Sequence, residues 1–212
     1  MNNPMIKNGL LLALFALLCT GLVAVVNQQT FDEIKLQQQK ELMGILHQLI
    51  PDELHDNELT AQCTLLQNKE ALGTEDALPA YIATAAGKPV AIALEAIAPD
   101  GYNGNIKLIV GINTQGEVLG VRTLSHQETP GLGDKIELRK SDWVTKFVGK
   151  VLTSEDDKQW QVQKDGGDFD QFTGATITPR AYVKAVKRAV WYFTQHQAEI
   201  FSQPLNCEAN ND

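Results

Sequence analysis

A run of residues without a single charged side chain, from Asn8 to Thr30, constrains this chain more than any other feature. Its apolar centre is Leu10–Val26, with the sequence LLLALFALLCTGLVAVV. An α-helix rises about 1.5 Å per residue, so this stretch with its uncharged flanks matches the hydrocarbon layer of a bilayer, which is roughly 30 Å thick. We therefore predict one N-terminal membrane-spanning helix.

Two other interpretations of this segment fit less well. A cleaved signal peptide needs a shorter apolar core and a small-x-small cleavage site after it, whereas NQQTFDEIK follows Val26. A lipoprotein signal needs a small residue before the modified cysteine, whereas Leu18 precedes Cys19. An uncleaved anchor is favoured, and Cys19 is then a lipid-facing or packing residue.

The charges that flank the span predict its orientation. Lys7 and the terminal amine precede it, and Asp32 and Glu33 follow it. The positive-inside rule then favours a cytoplasmic N-terminus and an exported body. Cys63 and Cys207 would lie in an oxidising compartment, where a disulfide can form. The sequence leaves open whether they pair or remain free thiols.

Composition excludes several classes of function. The net charge is -8, which disfavours general nucleic-acid binding because phosphate contacts need clustered Lys and Arg. The chain has no CxxC motif, and its four histidines show no i, i+4 pair, so no metal site is predicted. The acidic segment Asp165–Gln171 lacks the ligand spacing of a calcium-binding EF-hand and is interpreted as a solvated turn.

Hydrophobic periodicity predicts an α+β fold with antiparallel strands and a C-terminal helix. Two hairpins are indicated, and a helix closes the chain. The hairpin strands are Tyr81–Ala85 with Val90–Ile97 and Ile106–Ile112 with Val118–Leu124, and the helix is Arg180–Phe201.

Three regions follow from this pattern. Residues 1–30 form the membrane anchor, residues 31–55 a helical neck that Pro51 ends, and residues 56–212 one exported domain. Within that domain, Asp142–Val151 is expected to form a short helix followed by a strand.

The segment Phe172–Pro179, FTGATITP, carries the strongest chemical signal. Thr178 is a plausible N-cap, and Pro179 suits the first helical turn. The preceding turn would then meet a helix N-terminus, whose free N–H groups and dipole favour an anion such as phosphate. Gly174 and Ala175 allow close approach, and the following helix adds basic residues. These are Arg180, Lys184, Lys187 and Arg188.

Nearly the whole chain resembles one family, the G subunits of the Rnf/Rsx ion-translocating electron-transport complexes. The key motif is also similar to that of the C subunit in the sodium-translocating NADH:quinone reductase. The resemblance lies in the N-terminal span and in GYNGNIKLIVGIN (101–113), GVRTLSHQETPGLGDKIE (120–137), KSDWVTKF (140–147) and KDGGDFDQFTGATITPRAYVKAVKRA (164–189).

The resemblance implies a covalent flavin. The family motif Ser/Thr-Gly-Ala-Thr stands here as Thr173–Thr176, and its last threonine carries FMN through a phosphoester bond, a role that falls on Thr176. A flavin transferase that uses FAD would attach it, because a threonine hydroxyl alone is a poor nucleophile.

The family's FMN-binding domain also includes the loop after the second hairpin. We expect Glu128, Thr129, Gly131, Leu132 and Gly133 to lie beside the flavin, although a purely structural loop is the alternative. Two flanking residues are weaker candidates for flavin contact: His126, which could tune flavin protonation or serve only as a hydrogen-bonding residue, and Lys135.

The implied function is electron transfer by a membrane-anchored flavoprotein subunit without catalysis of its own. Its partners would be the other membrane, iron–sulfur and flavin subunits of the complex, at the periplasmic side of a bacterial inner membrane. In the Rsx variant the complex would help to keep a redox-sensing transcription factor reduced. The alternatives are an anchored assembly or structural subunit, and an anion-binding module without covalent flavin.

Overall fold

The computed structural model describes residues 4–207. The outer ends of the predicted anchor and exported domain, residues 1–3 and 208–212, lie outside the described residues. The chain forms two compact units that divide between Leu42 and Met43.

The first helix, α1, runs from Pro4 to Leu49. Its most apolar window has a mean hydropathy of 2.7, and this window is not buried within the protein. By length and composition the helix can cross a membrane. The predicted span and residues 31–49 of the predicted neck are therefore parts of one helix, and the last residues of the neck lie beyond it.

The second unit is built on a five-stranded antiparallel sheet whose strands follow chain order. Both predicted hairpins are confirmed, and a further strand precedes them. The strands are β1 (Cys63–Leu66), β2 (Leu78–Ala85), β3 (Lys88–Gly101), β4 (Gly104–Asn113) and β5 (Val118–Ser125). Within residues 4–207 two further α-helices form, α2 (Lys69–Leu72) and α3 (Ile177–Ser202), so the predicted α+β class is confirmed.

One face of the sheet packs against α3. Ile92 and Leu94 of β3 belong to the same buried cluster as Val186 and Val190 of α3. Buried residues recur on α3 at spacings of three and four, as expected for a helix with one apolar face. This cluster extends into aromatic side chains from the segment between β5 and α3, which are Trp143, Phe147, Trp160, Phe169 and Phe172.

The opposite face of the sheet receives the end of α1. Leu49 is fully buried, and it lies on Gly111 and Gly120, which pair across β4 and β5. A Cβ atom added at Gly120 would lie 2.9 Å from Leu49 Cδ2, and one at Gly111 would lie 3.2 Å from Leu49 Cβ. The two glycines therefore make room for the last turn of this helix.

The predicted helix and strand over Asp142–Val151 differ from the structure. Asp142–Phe147 forms a 3-10 helix. Val151 pairs with Glu117 in an isolated β-bridge and is not part of a strand. Trp143 and Phe147 of this short helix are buried in the aromatic cluster. Burial of these aromatic side chains therefore determines the conformation of the segment, which does not add a strand to the sheet.

The C-terminal segment is joined to the edge strand of the sheet. Cys63 in β1 and Cys207 form a disulfide with a Cα–Cα distance of 5.5 Å. The Asn206 backbone N–H donates to the Cys63 carbonyl at 3.1 Å, and the Asn206 side-chain oxygen accepts from Leu65 N at 2.8 Å. Hydrogen bonds and a covalent bond thus hold the same contact.

Candidate functional site

The motif Thr173–Thr176 forms a tight turn directly before α3. Ala175 N donates to the Phe172 carbonyl at 3.1 Å, and Gly174 has a φ of +83°. A positive φ at the third position is the signature of a type II turn, which favours glycine there. The turn is anchored by Phe172, which is buried and meets Trp143 edge-to-face with ring centroids 5.1 Å apart.

The helix start differs from the prediction. Helix α3 begins at Ile177, so the N-cap position belongs to Thr176 and not to Thr178. Thr178 is fully buried, and its hydroxyl donates to a Glu128 carboxylate oxygen. This charge-assisted bond inside the protein replaces the capping role expected from the local sequence.

Thr176 is left with an unused hydroxyl. Its side chain is exposed and makes no capping hydrogen bond at the start of α3. No other side chain of the described residues 4–207 bonds to it. Thr176 directly precedes the first turn of α3, whose N–H groups lack partners within the helix.

The loop after β5 folds back on itself and meets this turn. The Thr129 carbonyl accepts hydrogen bonds from Leu132 N at 3.1 Å and from Gly133 N at 3.0 Å. A Cβ atom at Gly133 would lie 2.9 Å from both Glu128 Oε2 and Thr178 Oγ1. Leu132 Cδ2 lies 3.1 Å from the position of a Cβ added at Gly174. Two glycines thus permit the close approach of the loop and the turn.

Glu128 joins three segments of the chain. Its side chain is 4% exposed. One carboxylate oxygen accepts from the Thr178 hydroxyl, and the other accepts from Asn103 N at 3.1 Å. The β3–β4 turn, the loop after β5 and the start of α3 therefore meet at this carboxylate.

His126 supports Glu128 from outside the pocket. Glu128 N donates to His126 Nδ1 at 3.0 Å, so this ring nitrogen carries no proton. The other ring nitrogen, Nε2, is 2.8 Å from Glu137 Oε1 and donates to it. A hydrogen bond from Arg139 and the bond from His126 lower the pKa of Glu137 despite its partial burial. A carboxylate thus fixes the orientation of the ring.

A pocket of about 250 Å³ lies between the loop and the turn. Several predicted site residues line it, namely Glu128, Thr129, Leu132, Gly133, Gly174, Ala175 and Thr176. Four others are not among its lining residues, namely Thr173, His126, Gly131 and Lys135. The pocket is also lined by Tyr102, Ile177 and Thr178, for which the sequence did not indicate this position.

Different signals were available for these three residues. Tyr102 lies in the turn between β3 and β4 and is largely exposed. An aromatic residue in a turn was the only indication of its position. Ile177 and Thr178 adjoin the motif, but the sequence indicated only a helix N-cap role for Thr178 and no role for Ile177.

The basic residues of α3 are engaged elsewhere. Arg180 makes a two-pronged ion pair with Asp165 at 2.5 and 2.8 Å, and Lys184 is 2.9 Å from Asp100. Lys187 and Arg188 donate to backbone carbonyls at 3.0 and 3.3 Å. An anion in the pocket would therefore meet helix N–H groups rather than free cationic side chains.

The carboxylates of the acidic turn before the motif also form ion pairs with nearby basic side chains. Besides the pair with Arg180, Asp168 lies 2.9 Å from Lys150, and Asp170 pairs with Lys146. Each carboxylate thus has a cationic partner.

The comparisons with known proteins agree with this geometry. Residues 101–190, which include both the pocket loop and the turn, match the FMN-binding domain family. The unit built on the sheet thus contains an FMN-binding domain. Residues 1–49, which end where α1 ends, match the RnfG N-terminal region.

Several relatives that cover the full length are named as the G subunit of the ion-translocating oxidoreductase complex. The proteins from Shewanella oneidensis and Shewanella baltica are 96% and 82% identical over 212 residues, the whole of each chain. One from Vibrio parahaemolyticus is 60% identical over 205 residues, or 97% of each chain. The chain belongs to this family, the G subunits of the ion-translocating oxidoreductase complexes.

Proposed function

We propose that this protein is an electron-transfer subunit of an Rnf-type complex and carries FMN esterified to Thr176. The observation that supports the attachment most directly is the position of the Thr176 hydroxyl. It is exposed beside a pocket and adjoins the helix N-terminus. It also makes no hydrogen bond within residues 4–207, so esterification would break no interaction there.

The residues of the pocket suit a flavin phosphate. Gly174, Ala175 and Gly133 present little side-chain bulk, and Leu132 offers an apolar surface to an aromatic ring. The positive end of α3 would stabilise the negative charge that remains on a phosphodiester. FMN supplies one- and two-electron redox chemistry when bound, and the protein's part is to hold and orient it.

Attachment would require a flavin transferase with FAD as the donor. The Thr176 oxygen forms a bond to the FMN phosphorus while the bond between the two phosphates of FAD breaks. AMP leaves, and the hydroxyl proton passes to a base of the transferase or to solvent. No change of oxidation state occurs, so no oxidant or reductant is needed.

The other predicted site residues would differ in how directly they contact the flavin. Thr129, Leu132, Gly133, Gly174 and Ala175 would contact the flavin or its phosphate from the pocket wall. Glu128 lines the wall too, but both of its carboxylate oxygens already accept hydrogen bonds, so it would mainly position the loop and the turn.

The predicted residues outside the wall would act indirectly. His126 would hold the Glu128 backbone, and Gly131 would allow the loop to turn with its φ of +76°. Thr173 would shape the motif turn. The Lys135 ammonium lies 6.0 Å from the centre of the Phe172 ring, beneath that turn.

The membrane arrangement is part of the same proposal. Residues 1–30 would anchor the protein in a bacterial inner membrane, residues 31–55 would form the neck, and residues 56–212 would form the domain on the periplasmic side. The disulfide between Cys63 and Cys207 supports this orientation, because such bonds persist in oxidising compartments.

The partners would be the membrane, iron–sulfur and flavin subunits of the complex. In an Rsx variant the complex would also help to keep a redox-sensing transcription factor reduced. We assign no catalysis to this subunit alone. The proposed covalent FMN would pass electrons between other redox centres of the complex.

The test is production of the full chain in cells with and without a flavin transferase, followed by a denaturing gel viewed under ultraviolet light. We expect a fluorescent band only with the transferase, and we expect Thr176→Ala to abolish it. Thr60→Ala is the control, since it removes an exposed hydroxyl that neither belongs to the motif nor lines the pocket.

Mass spectrometry of the peptide that contains residue 176 identifies the bond. The proposal predicts the added mass of FMN less one water on Thr176. A dark band from transferase-containing cells would overturn the covalent attachment and favour an assembly subunit. Release of an anion on denaturation would instead indicate a module that binds its ligand without a covalent bond.

A further inference from the structure

Two histidines that are not among the residues lining the pocket meet where α1 ends. His47 lies in the last turn of α1, Asp52 opens the 3-10 turn after Pro51, and His55 directly follows that turn. One nitrogen or oxygen from each of His47, Asp52 and His55 lies within 4.8 Å of the others. All of these residues belong to the second compact unit.

His55 carries an unsatisfied nitrogen that points into this group. Its side chain is only 6% exposed. Nδ1 lies 2.9 Å from the Asn57 carbonyl, which can only accept, so Nδ1 carries a proton. In the neutral ring Nε2 is therefore a bare lone pair, and it is buried without a hydrogen-bond partner among the described residues.

Asp52 Oδ1, which lies near this lone pair, is itself an acceptor. His55 Nε2 lies 3.8 Å from Asp52 Oδ1, which is too long for a hydrogen bond. A buried nitrogen without a partner costs free energy. A ring fixed through Nδ1–H to a backbone carbonyl, with Nε2 free, is the arrangement in which histidine commonly binds metals.

We propose that His47, Asp52 and His55 bind one divalent metal ion of the Zn²⁺ class. Two imidazoles and a carboxylate are a suitable ligand set for such an ion. Tetrahedral bonds to zinc would place ligand atoms about 3.3 Å apart. The distances from Asp52 Oδ1, 2.5 Å to His47 Nδ1 and 3.8 Å to His55 Nε2, lie on either side of that value.

The degree of exposure defines the kind of site. His47 and Asp52 are 45% and 75% exposed, so one side is open and a water molecule can complete the coordination. The ion would crosslink the end of α1 to the segment that contacts β2. In that segment Asp56 N donates to the Thr84 carbonyl at 2.8 Å, and Asn57 Oδ1 accepts from Thr84 N at 2.7 Å.

The experiment uses the full chain in detergent, with a histidine-free affinity tag and prior treatment with EDTA. Titration calorimetry with Zn²⁺ alone should give one site per chain. Asp52→Asn and His47→Ala should each weaken binding at least about tenfold, since even an outer contact to a metal ligand contributes about that factor. His196→Ala is the matched control, because it removes an exposed histidine elsewhere.

Two further measurements separate binding from folding. Co²⁺ in place of Zn²⁺ should give visible absorption bands in the wild type that Asp52→Asn alters, and Zn²⁺ should raise the Tm of the wild type but not of Asp52→Asn. His55→Gln tests the buried ligand, with circular dichroism to verify its fold. The absence of stoichiometric binding, or equal binding by wild type, His47→Ala and Asp52→Asn, overturns the proposal.

Discussion

At the scale of single residues, Glu128 shows how one buried carboxylate organises the pocket. It accepts from Asn103 N and from the Thr178 hydroxyl, and its own N–H donates to His126. Thr178 is fully buried. A hydroxyl in that environment requires a partner, because an unsatisfied buried polar group costs about 1–3 kcal/mol.

A double-mutant cycle tests the bond between Glu128 and Thr178. Glu128→Ala should lower the free energy of unfolding by about 2–4 kcal/mol, because the Thr178 hydroxyl and Asn103 N lose their acceptor. Thr178→Val should cost less, and the pair should show a coupling of about 1–3 kcal/mol. Denaturant unfolding of the four proteins measures both quantities, and additive effects would contradict the bond.

At the scale of elements, the sequence predicted what local periodicity determines. The β4–β5 hairpin follows from the alternation of Ile106, Leu108, Val110 and Ile112, all of which face the core. The start of α3 was placed too late because the hydroxyl of Thr178 bonds to a residue 50 positions away. No local pattern reports a contact of that kind.

Contacts between residues that are distant in sequence also limit the prediction of functional sites. The motif Thr173–Thr176 is contiguous, so the resemblance identified it. His47 and His55 do not have the i, i+4 spacing of a helical pair, and only the reversal of the chain at Pro51 brings them together. Tyr102 reaches the pocket through sheet geometry that its neighbours in sequence do not reveal.

A buried acid on β3 gives a pH-dependent prediction. Glu95 is 3% exposed and lies 2.7 Å from Lys107 on β4. Burial raises the pKa of Glu95, and the nearby Lys107 only partly opposes this. A folded-state pKa above the unfolded value means that this group's contribution to stability is present in acid and is lost as the pH rises through the folded pKa.

We therefore expect Glu95→Gln to gain stability relative to the wild type as the pH rises. The difference in unfolding free energy should begin to grow near the unfolded pKa of about 4.3 and should level off above the raised folded-state pKa of Glu95. Denaturant unfolding across this range measures it. Glu70→Gln, at an exposed glutamate, is the control, and a constant difference for Glu95→Gln would show that burial does not control the charge.

At the scale of the whole molecule, the disulfide closes most of the second unit into one covalent loop. Cys63 and Cys207 are separated by 144 positions. Both pocket segments lie within that loop. Closing a long loop lowers the entropy of the unfolded chain, so the bond should stabilise the folded domain.

Replacement of both cysteines measures this effect. The double variant Cys63→Ser with Cys207→Ser should lose about 2–4 kcal/mol of unfolding free energy, and reduction of the wild type should reproduce the loss. Cys19→Ser serves as the control, because this exposed cysteine is free. Equal stability of the oxidised wild type and the double variant would contradict the prediction.

The same covalent loop determines how the protein responds to cleavage. A protease that cuts once between Cys63 and Cys207 produces two fragments that stay linked until a thiol reagent separates them. A nick in the exposed loop around Pro130 would therefore leave Thr176, and anything fastened to it, tethered to the rest of the chain. If FMN is attached to Thr176 as proposed, a single break in the backbone would therefore not release the flavin from the protein.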